Sequence, residues 1–259
     1  MIEPESDPAK INSLSKRAFR KLVEFKGMKK LSVSQYRDNI RAHYDGPAGA
    51  VLSLASLISL HEPLIGRLLR KKRYDVTNAK KVLDIGSGAG QILKHVLKQT
   101  ESDTQVVGFD LSQQMLRRAR TRIGDDRPNY IAGDLRHLPF PDNTFDSVTC
   151  GWVIEYFEDP HPALAEINRV MTPDGSAFIL ATEDNYAGAM NSRTWKCRTY
   201  NRKELQASCE AAGLAWKEQL WFTRIHRFFN FGGILIEATK IDQSEDSPVV
   251  EEKTLQKST

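Results

Sequence analysis

Residues 82–93 read VLDIGSGAGQIL, where an apolar run meets three glycines within five positions and then a segment of helical character. The glycines are Gly86, Gly88 and Gly90, so their spacing is G-x-G-x-G. The dinucleotide-binding fingerprint has its third glycine three residues after the second, where this chain has Gln91. The stretch therefore predicts a strand, a ligand-binding loop and a helix, and its spacing disfavours a nicotinamide dinucleotide as the ligand.

Composition and cysteine content limit the class of protein. The chain has 259 residues, of which 40% are hydrophobic and 27% are charged, and its formal net charge is +4. These values are typical of one large α/β domain with an apolar core. Cys150, Cys197 and Cys209 lie far apart and form no C-x-x-C pair, so we expect no zinc site, no other bound metal and no disulfide framework. A reducing, cytoplasmic setting is the default.

The first 60 residues contain two segments of helical character. Residues 1–10, MIEPESDPAK, lack the positive charge and apolar run of a signal peptide. Residues 9–30 place apolar side chains at helical spacing among eight basic residues and one acid, which predicts a basic amphipathic helix. That helix packs on the domain or adsorbs peripherally to the anionic inner face of a membrane. Nucleic-acid binding is the third alternative, which is disfavoured because no aromatic residues are interleaved with the basic ones in a stacking pattern. Residues 50–60, AVLSLASLISL, are too short to span a bilayer, and we interpret them as a buried or ligand-covering helix.

From Lys80 onward, short apolar runs alternate with helical segments, which predicts a mostly parallel, doubly wound sheet. The first helix of this series is expected from about Gly90, and residues 173–175, PDG, should turn the chain into the fifth strand. The runs at 214–222 and 232–240 have no helix-length segment between them, so we expect them to pair antiparallel at one edge. Three parts follow, a helical cap over 1–75, a ligand-binding domain over 76–240 and a disordered acidic tail over 241–259.

Acidic residues end the first three predicted strands. Asp84 precedes the glycine loop, whose backbone allows a close approach by a carboxylate or phosphate. Asp110 follows Gly90 by twenty residues, where a carboxylate accepts hydrogen bonds from both hydroxyls of an unphosphorylated ribose. Asp134, after the third strand, is placed to accept an amino-group proton from a base packed on Leu135. The order of these residues predicts sites for a carboxylate, a ribose and a base along one sheet edge.

Four segments, LDIGSGAG, GFDLSQQML, AGDLRHLPFPDNTFDSV and EINRVMTPDGSAFIL, resemble the successive motifs of class I S-adenosylmethionine-dependent methyltransferases. The resemblance covers about residues 80–182 and is greatest to the branch that acts on ubiquinone and menaquinone precursors and other small molecules. It implies a Rossmann-like, seven-stranded methyltransferase fold with one antiparallel edge strand and an N-terminal helical cap. One departure is Asp174, because the family's turn usually reads proline, glycine, glycine, and the resemblance places that turn away from the cofactor.

The resemblance also implies which residues hold S-adenosylmethionine. The loop would line the methionine end, Asp110 would hold the ribose, and residues after the fourth strand would approach the sulfonium. The cofactor-binding residues implied in this way are Asp84, Gly86, Ser87, Gly88, Gly90, Asp110, Leu111, Met115, Asp134, Leu135, Gly151 and Trp152. Each also has a structural interpretation, since the glycines could serve only a tight turn and Asp110 could only cap the next helix.

The methyl acceptor is less well defined than the cofactor. Candidate acceptor-site residues lie in the cap and in the loops after the fourth and fifth strands, and no catalytic base stands out among Tyr36, His43, Tyr44, His61, Glu155, Tyr156, Asn185, Tyr186 and Trp195. For each of these side chains, ordinary packing is the competing interpretation.

Several functions are compatible with these motifs. The first is an enzyme that methylates a small molecule, including a lipid-like or quinone-like one, and the second is a protein that binds S-adenosylmethionine without turnover. A nicotinamide-dependent oxidoreductase is disfavoured by the glycine spacing. Nucleic-acid methylation is disfavoured because CGWVIEYF, at 150–157, lacks a proline-proline-aromatic tetrad and the net charge is modest. The oligomeric state stays open.

Overall fold

The computed structural model describes residues 61–185, 197–229 and 232–241, together with Gly188 and Ser192. Predictions for residues 1–60 and for the tail after Ile241 lie outside the described residues. These include the basic helix at 9–30 and the apolar segment at 50–60. The division of the chain at residue 75 stays a prediction.

The centre of the fold is a seven-stranded sheet in the order β3-β2-β1-β4-β5-β7-β6. Its strands are β1 (Lys81–Ile85), β2 (Gln105–Asp110), β3 (Asn129–Ala132), β4 (Phe145–Gly151), β5 (Met171–Ala181), β6 (Leu214–Leu220) and β7 (Ile234–Lys240). The pairs among β1 to β5 are parallel, and β7 is antiparallel to both of its neighbours. β1 pairs with β2 on one side and β4 on the other, so the strand order reverses between β1 and β4. In open sheets of this kind, ligands bind in the crevice outside the carboxyl ends of the strands at that point.

Helices connect the strands of the sheet. They are α1 (His61–Arg70), α2 (Leu93–Leu97), α3 (Gln113–Ile123), α4 (His161–Val170), α5 (Arg202–Ala211) and α6 (Arg224–Phe229), with a 3-10 turn at Ile154–Tyr156 after β4. Ser112 caps α3 because its hydroxyl accepts from the Met115 N–H at 3.1 Å, and Gly213, with φ of +77°, follows α5.

The central strands bury both of their faces. In β5, Ala177, Ile179 and Ala181 join the apolar cluster on one face of the sheet. Phe178 and Leu180 join the cluster on the other face, which also contains Ile65, Leu68 and Leu69 of α1. This alternation follows from the two-residue period of a strand. Such continuous apolar strands are typical of a parallel sheet covered by helices on both sides.

The predicted sheet fold is confirmed, with local differences, whereas most of the predicted N-terminal helical cap lies outside the described residues. β7 is the antiparallel strand, and it lies one place inside the edge because β6 pairs along its outer side. A six-residue helix, α6, lies between β6 and β7, where no helix is expected from the sequence. Residues 173–175 belong to β5, and the chain bulges there because the pairing with β4 shifts between Phe145 and Ser147.

The helix expected from Gly90 begins at Leu93. Gly90 instead closes a turn, since its N–H donates to the Ser87 carbonyl at 2.7 Å. No helix within the described residues is long and apolar enough to cross a membrane.

Candidate functional site

The glycine loop turns sharply as it leaves β1. Gly86, Gly88 and Gly90 have φ of +68°, +52° and +81°, which is backbone conformation that other residues rarely adopt. The N–H groups of Gly86 and Ser87 donate to the Phe109 carbonyl of β2 at 2.7 and 3.1 Å. A Cβ added to Gly86 would lie 2.0 Å from Val153 Cγ2, so the segment after β4 packs directly against this loop. The backbone conformation and the packing of Val153 therefore both favour glycine here.

Asp84 is fully buried at the end of β1. Its Oδ1 accepts from Thr149 Oγ1 at 2.5 Å, whereas its Oδ2 is buried without a hydrogen-bond partner. Burial raises the pKa of this carboxyl to about 7, and the neighbouring Asp110 adds to the rise. A buried carboxylate oxygen without a partner costs free energy unless a donor reaches it. The ammonium group of a methionine portion is a donor of the required charge.

Asp110 ends β2 and faces the same loop. Its Oδ2 accepts from the Gly88 N–H at 2.9 Å, and its Oδ1 accepts from the Ser112 N–H at 2.8 Å. The residue thus contacts both the loop and the residue that caps α3, whereas the N-cap itself, which the sequence offered as a role for Asp110, is Ser112. The ribose-binding role predicted for Asp110 stays a prediction.

A cleft of about 1050 Å³ opens beside these residues. Leu111, Gly133 and Asp134 are among the residues that line it. Met115 is buried next to the loop, with its Cε 3.7 Å from the position of a Cβ built on Gly88. The cleft adjoins the end of β2, next to Asp110, where the sequence predicts the ribose.

The Asp134 side chain forms an ion pair, whereas the neighbouring Leu135 side chain is buried in the apolar core. The Asp134 carboxylate is held by Arg136, with Nε to Oδ1 at 3.0 Å and Nη2 to Oδ2 at 2.5 Å. Leu135 is 4% exposed and belongs to the apolar core. The partner Arg136 was not singled out in the sequence, although the spacing Asp-x-Arg places it within reach.

Trp152 follows β4 with φ of +55°, which is unusual for a residue with a large side chain. Its N–H donates to the Leu180 carbonyl of β5 at 2.9 Å, and it follows Gly151, where an added Cβ would lie 2.4 Å from Ile92 Cδ1. Residues in such strained conformations cluster at functional sites.

Aromatic rings from three parts of the chain form a chain of contacts that begins at Trp152. The His61 ring lies 5.2 Å from the Trp152 ring and 6.0 Å from the Phe222 ring, and the Phe222 ring lies 5.6 Å from that of His226, all in edge-to-face geometry. We call these four residues the aromatic cluster. Burial, with a further contribution from His226, lowers the pKa of His61. Phe222 and His226 were missed because the segment after β6 carries no recognisable motif.

The remaining described candidates are held by neighbours. Glu155 is 3% exposed, and its two carboxylate oxygens accept from the N–H and hydroxyl of Thr182 at 3.0 and 2.7 Å. Burial raises the pKa of Glu155 to about 7. Asn185 donates to Glu183 at 3.3 Å and accepts from the Gly188 N–H at 2.9 Å, and Tyr156 is half-buried in the 3-10 turn. The other candidates, Tyr36, His43, Tyr44, Tyr186 and Trp195, lie outside the described residues.

The arrangement fits S-adenosylmethionine. Asp84 offers one buried carboxylate oxygen without a partner, the loop has left-handed glycine backbone, and Asp110 offers an acid at the end of the neighbouring strand. The assignment of individual residues to parts of the cofactor stays a prediction.

Comparisons with known proteins match the same part of the chain. Residues 83–179 match the family model described as "Methyltransferase domain". A demethylmenaquinone methyltransferase of Geobacillus stearothermophilus is 32% identical over 148 residues, which cover 56% of this chain and 60% of that protein. A ubiquinone/menaquinone biosynthesis C-methyltransferase UbiE of Desulfotalea psychrophila is 36% identical over 123 residues, which cover 46% of this chain and 50% of that protein. The chain therefore spans only about half to two thirds of the length of these relatives.

A solved structure confirms the fold. The mitomycin 7-O-methyltransferase MmcR aligns with a TM-score of 0.63 at 19% identity, covering 77% of this chain and 59% of that one. The matched residues 83–179 run from β1 into β5 and include the glycine loop, Asp110, Asp134 and Trp152. These residues match a methyltransferase domain, which supports S-adenosylmethionine as the cofactor, and they are similar to ubiquinone and menaquinone biosynthesis methyltransferases.

Proposed function

We propose that this chain is a methyltransferase that moves a methyl group from S-adenosylmethionine to a small-molecule acceptor that is lipid-like or quinone-like. The observation that carries the proposal is the position of the aromatic cluster, which includes Trp152 and so adjoins Val153, the residue that touches the glycine loop. The names of the relatives, which refer to menaquinone and ubiquinone, support a ring-shaped acceptor. In this proposal residues 1–75 cap the site and residues 76–240 bind the cofactor.

The proposed roles of the cofactor-binding residues follow from their positions. Asp84 holds the ammonium of the methionine portion through the buried oxygen that has no other partner. Asp110 holds the ribose while it keeps its bonds to the loop. Leu111 and Met115 border the base, with Asp134 at the far side of the cleft.

When bound, S-adenosylmethionine supplies a methyl group on a positively charged sulfur, which keeps the bonding electron pair as the methyl leaves. Trp152 and Phe222 would orient the acceptor ring toward that methyl group, and such orientation supplies on the order of 7–11 kcal/mol. His61 accepts the proton that the acceptor loses, because its lowered pKa keeps the imidazole neutral at neutral pH. Glu155 is a weaker candidate since the N–H and hydroxyl of Thr182 already occupy its two oxygens.

The test of the function uses purified protein, methyl-labelled S-adenosylmethionine and an extract of the source cells. After the reaction, the products are separated into organic, aqueous and precipitated fractions. Label in the organic fraction is the expected result. Label in the precipitate would contradict a small-molecule acceptor, and label in the aqueous fraction alone would contradict a lipid-like one. Tight cofactor binding without label in any fraction would instead indicate a binding protein without turnover.

The role of His61 is tested on the acceptor that the labelling identifies. His61→Gln is expected to lower kcat by about a hundredfold, the lower limit for loss of a general base, with little change in the Kd for the cofactor. His161→Gln is the matched control, because His161 is an exposed residue at the start of α4. Unchanged kcat in His61→Gln would remove His61 from the mechanism and leave the methyltransferase proposal intact.

A further inference from the structure

α6 presents two large apolar side chains to solvent. Ile225 is 63% exposed and Phe228 is 83% exposed, the two highest values for large hydrophobic residues in the described part of the chain. The three-residue spacing places them on one side of the helix. Soluble proteins expose single apolar residues routinely, but an adjacent pair on one short helix indicates a contact surface.

The same helix carries positive charge. Arg224 and Arg227 are both exposed, and residues 221–229, WFTRIHRFF, contain no acidic side chain. At 100° per residue the two arginines occupy the sector next to that of Ile225 and Phe228. An apolar sector beside a basic one is the pattern of helices that lie at the surface of an anionic membrane.

The inner side of α6 faces the aromatic cluster. Phe222 and His226 are in ring contact with each other, and Phe222 reaches His61. Thr223 fixes the start of the helix, because its hydroxyl lies 2.7 Å from His226 Nδ1 and its carbonyl accepts from the Arg227 N–H at 3.1 Å. One side of α6 therefore carries the exposed apolar pair, and another side carries His226 of the aromatic cluster.

We propose that α6 docks this protein on an anionic lipid bilayer. Ile225 and Phe228 enter the boundary between headgroups and acyl chains, and Arg224 and Arg227 pair with lipid phosphates. Charge complementarity favours a bilayer, because each basic residue near an anionic surface adds about 1 kcal/mol, or roughly fivefold, to binding. A small apolar pair in a segment that contains no acidic residue suits an interfacial contact, which requires only shallow insertion.

The docking surface has a consequence for the acceptor, and that part rests on the proposed function. With α6 at the bilayer, the inner residues Phe222 and His226 place the aromatic cluster directly behind the membrane surface. A lipid-like acceptor would then reach the cluster from the bilayer without crossing water.

The experiment measures co-sedimentation of the full chain with two kinds of vesicle, one of phosphatidylcholine alone and one that also contains phosphatidylglycerol. We expect wild-type protein to bind the anionic vesicles and to bind the neutral ones at least about tenfold more weakly. Ile225→Ser/Phe228→Ser and Arg224→Gln/Arg227→Gln are each expected to lower binding to the anionic vesicles by about tenfold. Ile241→Ser is the matched control, since Ile241 is 41% exposed and lies beyond β7, and its binding should equal that of wild type.

Two results would overturn the docking proposal. The first is wild-type protein that does not bind the anionic vesicles. If the wild-type protein self-associates instead, and Ile225→Ser/Phe228→Ser abolishes that self-association, the surface binds a second copy of the chain. The second is vesicle binding that Ile225→Ser/Phe228→Ser leaves unchanged, which would place the contact elsewhere. Vesicle binding needs no methyl transfer, so its failure is distinguishable from failure of the proposed function. A thermal shift with S-adenosylmethionine verifies that each variant is folded.

Discussion

Asp84 is the residue whose surroundings most directly indicate a ligand, because one oxygen of its buried carboxyl has no partner. We predict that Asp84→Asn weakens binding of S-adenosylmethionine about 10- to 100-fold, the range for loss of a hydrogen bond to a charged group. The fold should survive, since an amide oxygen still accepts from Thr149 and a buried charge is removed. Isothermal titration calorimetry measures the affinity.

The matched control for Asp84→Asn is the same change at Asp146. That carboxylate accepts from the N–H groups of Lys80 and Lys81 at 2.7 and 3.1 Å, at the opposite end of β1. Asp146→Asn should leave cofactor affinity unchanged. Equal affinities in wild type and Asp84→Asn would show that Asp84 does not contact the methionine portion.

The raised pKa of Asp84 also predicts a pH dependence of stability in the free protein. Between its ordinary value of 3.8 and about 7, the folded protein keeps a proton that the unfolded chain has released. The free energy of unfolding from this group therefore falls as pH rises through that window and reaches its lowest level above pH 7. Urea unfolding at a series of pH values, compared between wild type and Asp84→Asn, isolates this contribution from the histidines that titrate nearby. Parallel pH profiles in the two proteins would contradict it.

The location of a residue at the end of a strand can be predicted from the sequence when the strand itself can be predicted. Asp84 and Asp110 follow apolar runs, so their place at the carboxyl edge is expected and the structure brings both to the glycine loop. Phe222 and His226 could not be assigned to the site in this way. Their approach to His61 depends on how α1, β6 and α6 pack, and no local pattern in the sequence encodes that packing.

At the scale of elements, an ion pair joins α1 to α3 beside the loop. Arg122 Nη2 lies 2.5 and 2.6 Å from the two carboxylate oxygens of Glu62, which is 5% exposed, and Arg122 Nη1 donates to the Ala89 carbonyl at 3.3 Å. We predict that Arg122→Met lowers the free energy of unfolding by about 3–5 kcal/mol, because it leaves a buried carboxylate without its main partner. Urea denaturation measures the loss.

The double variant Glu62→Leu/Arg122→Met distinguishes the cost of an unpaired charge from the value of the pair. It should recover most of the stability that Arg122→Met loses, since apolar replacements of buried pairs are often neutral. Both variants should bind the cofactor more weakly than wild type, because Ala89 lies in the glycine loop. A double variant as unstable as Arg122→Met would mean that packing of the arginine, and not its charge, holds α1 in place.

Helices and strands with a clear hydrophobic pattern could be predicted from the sequence. Features that depend on which strands pair with each other could not. The alternation of apolar runs and helical segments after Lys80 predicts the parallel strands correctly, since strands buried on both faces are continuously apolar. The position of β7 between β5 and β6 is set by hydrogen bonding between distant segments. The inclusion of residues 173–175 in β5 likewise depends on its partner β4, because the local PDG sequence alone favours a turn.

For the molecule as a whole, the reversal of strand order between β1 and β4 brings the separate parts of the site together. The glycine loop follows β1, and Trp152 and Val153 follow β4. Val153 packs against Gly86 of the loop. α1 then closes one side through His61 and Glu62, in contact with Trp152 and Arg122 respectively. A ligand bound in this crevice therefore contacts segments that unfold together, so its binding should stabilise the entire domain.

Thermal unfolding tests this coupling and the identity of the cofactor in one measurement. A ligand at about 100 times its Kd stabilises the folded state by about 2.7 kcal/mol. For a chain of this size that corresponds to a rise in Tm of roughly 5–10 °C. We expect this shift with S-adenosylmethionine, a much smaller one in Asp84→Asn at the same concentration, and none with NAD, because Gln91 stands where the dinucleotide fingerprint has its third glycine. A shift with NAD and none with S-adenosylmethionine would reverse the cofactor assignment. Equal shifts in wild type and Asp84→Asn would instead retain the cofactor and move its ammonium group away from the buried acid.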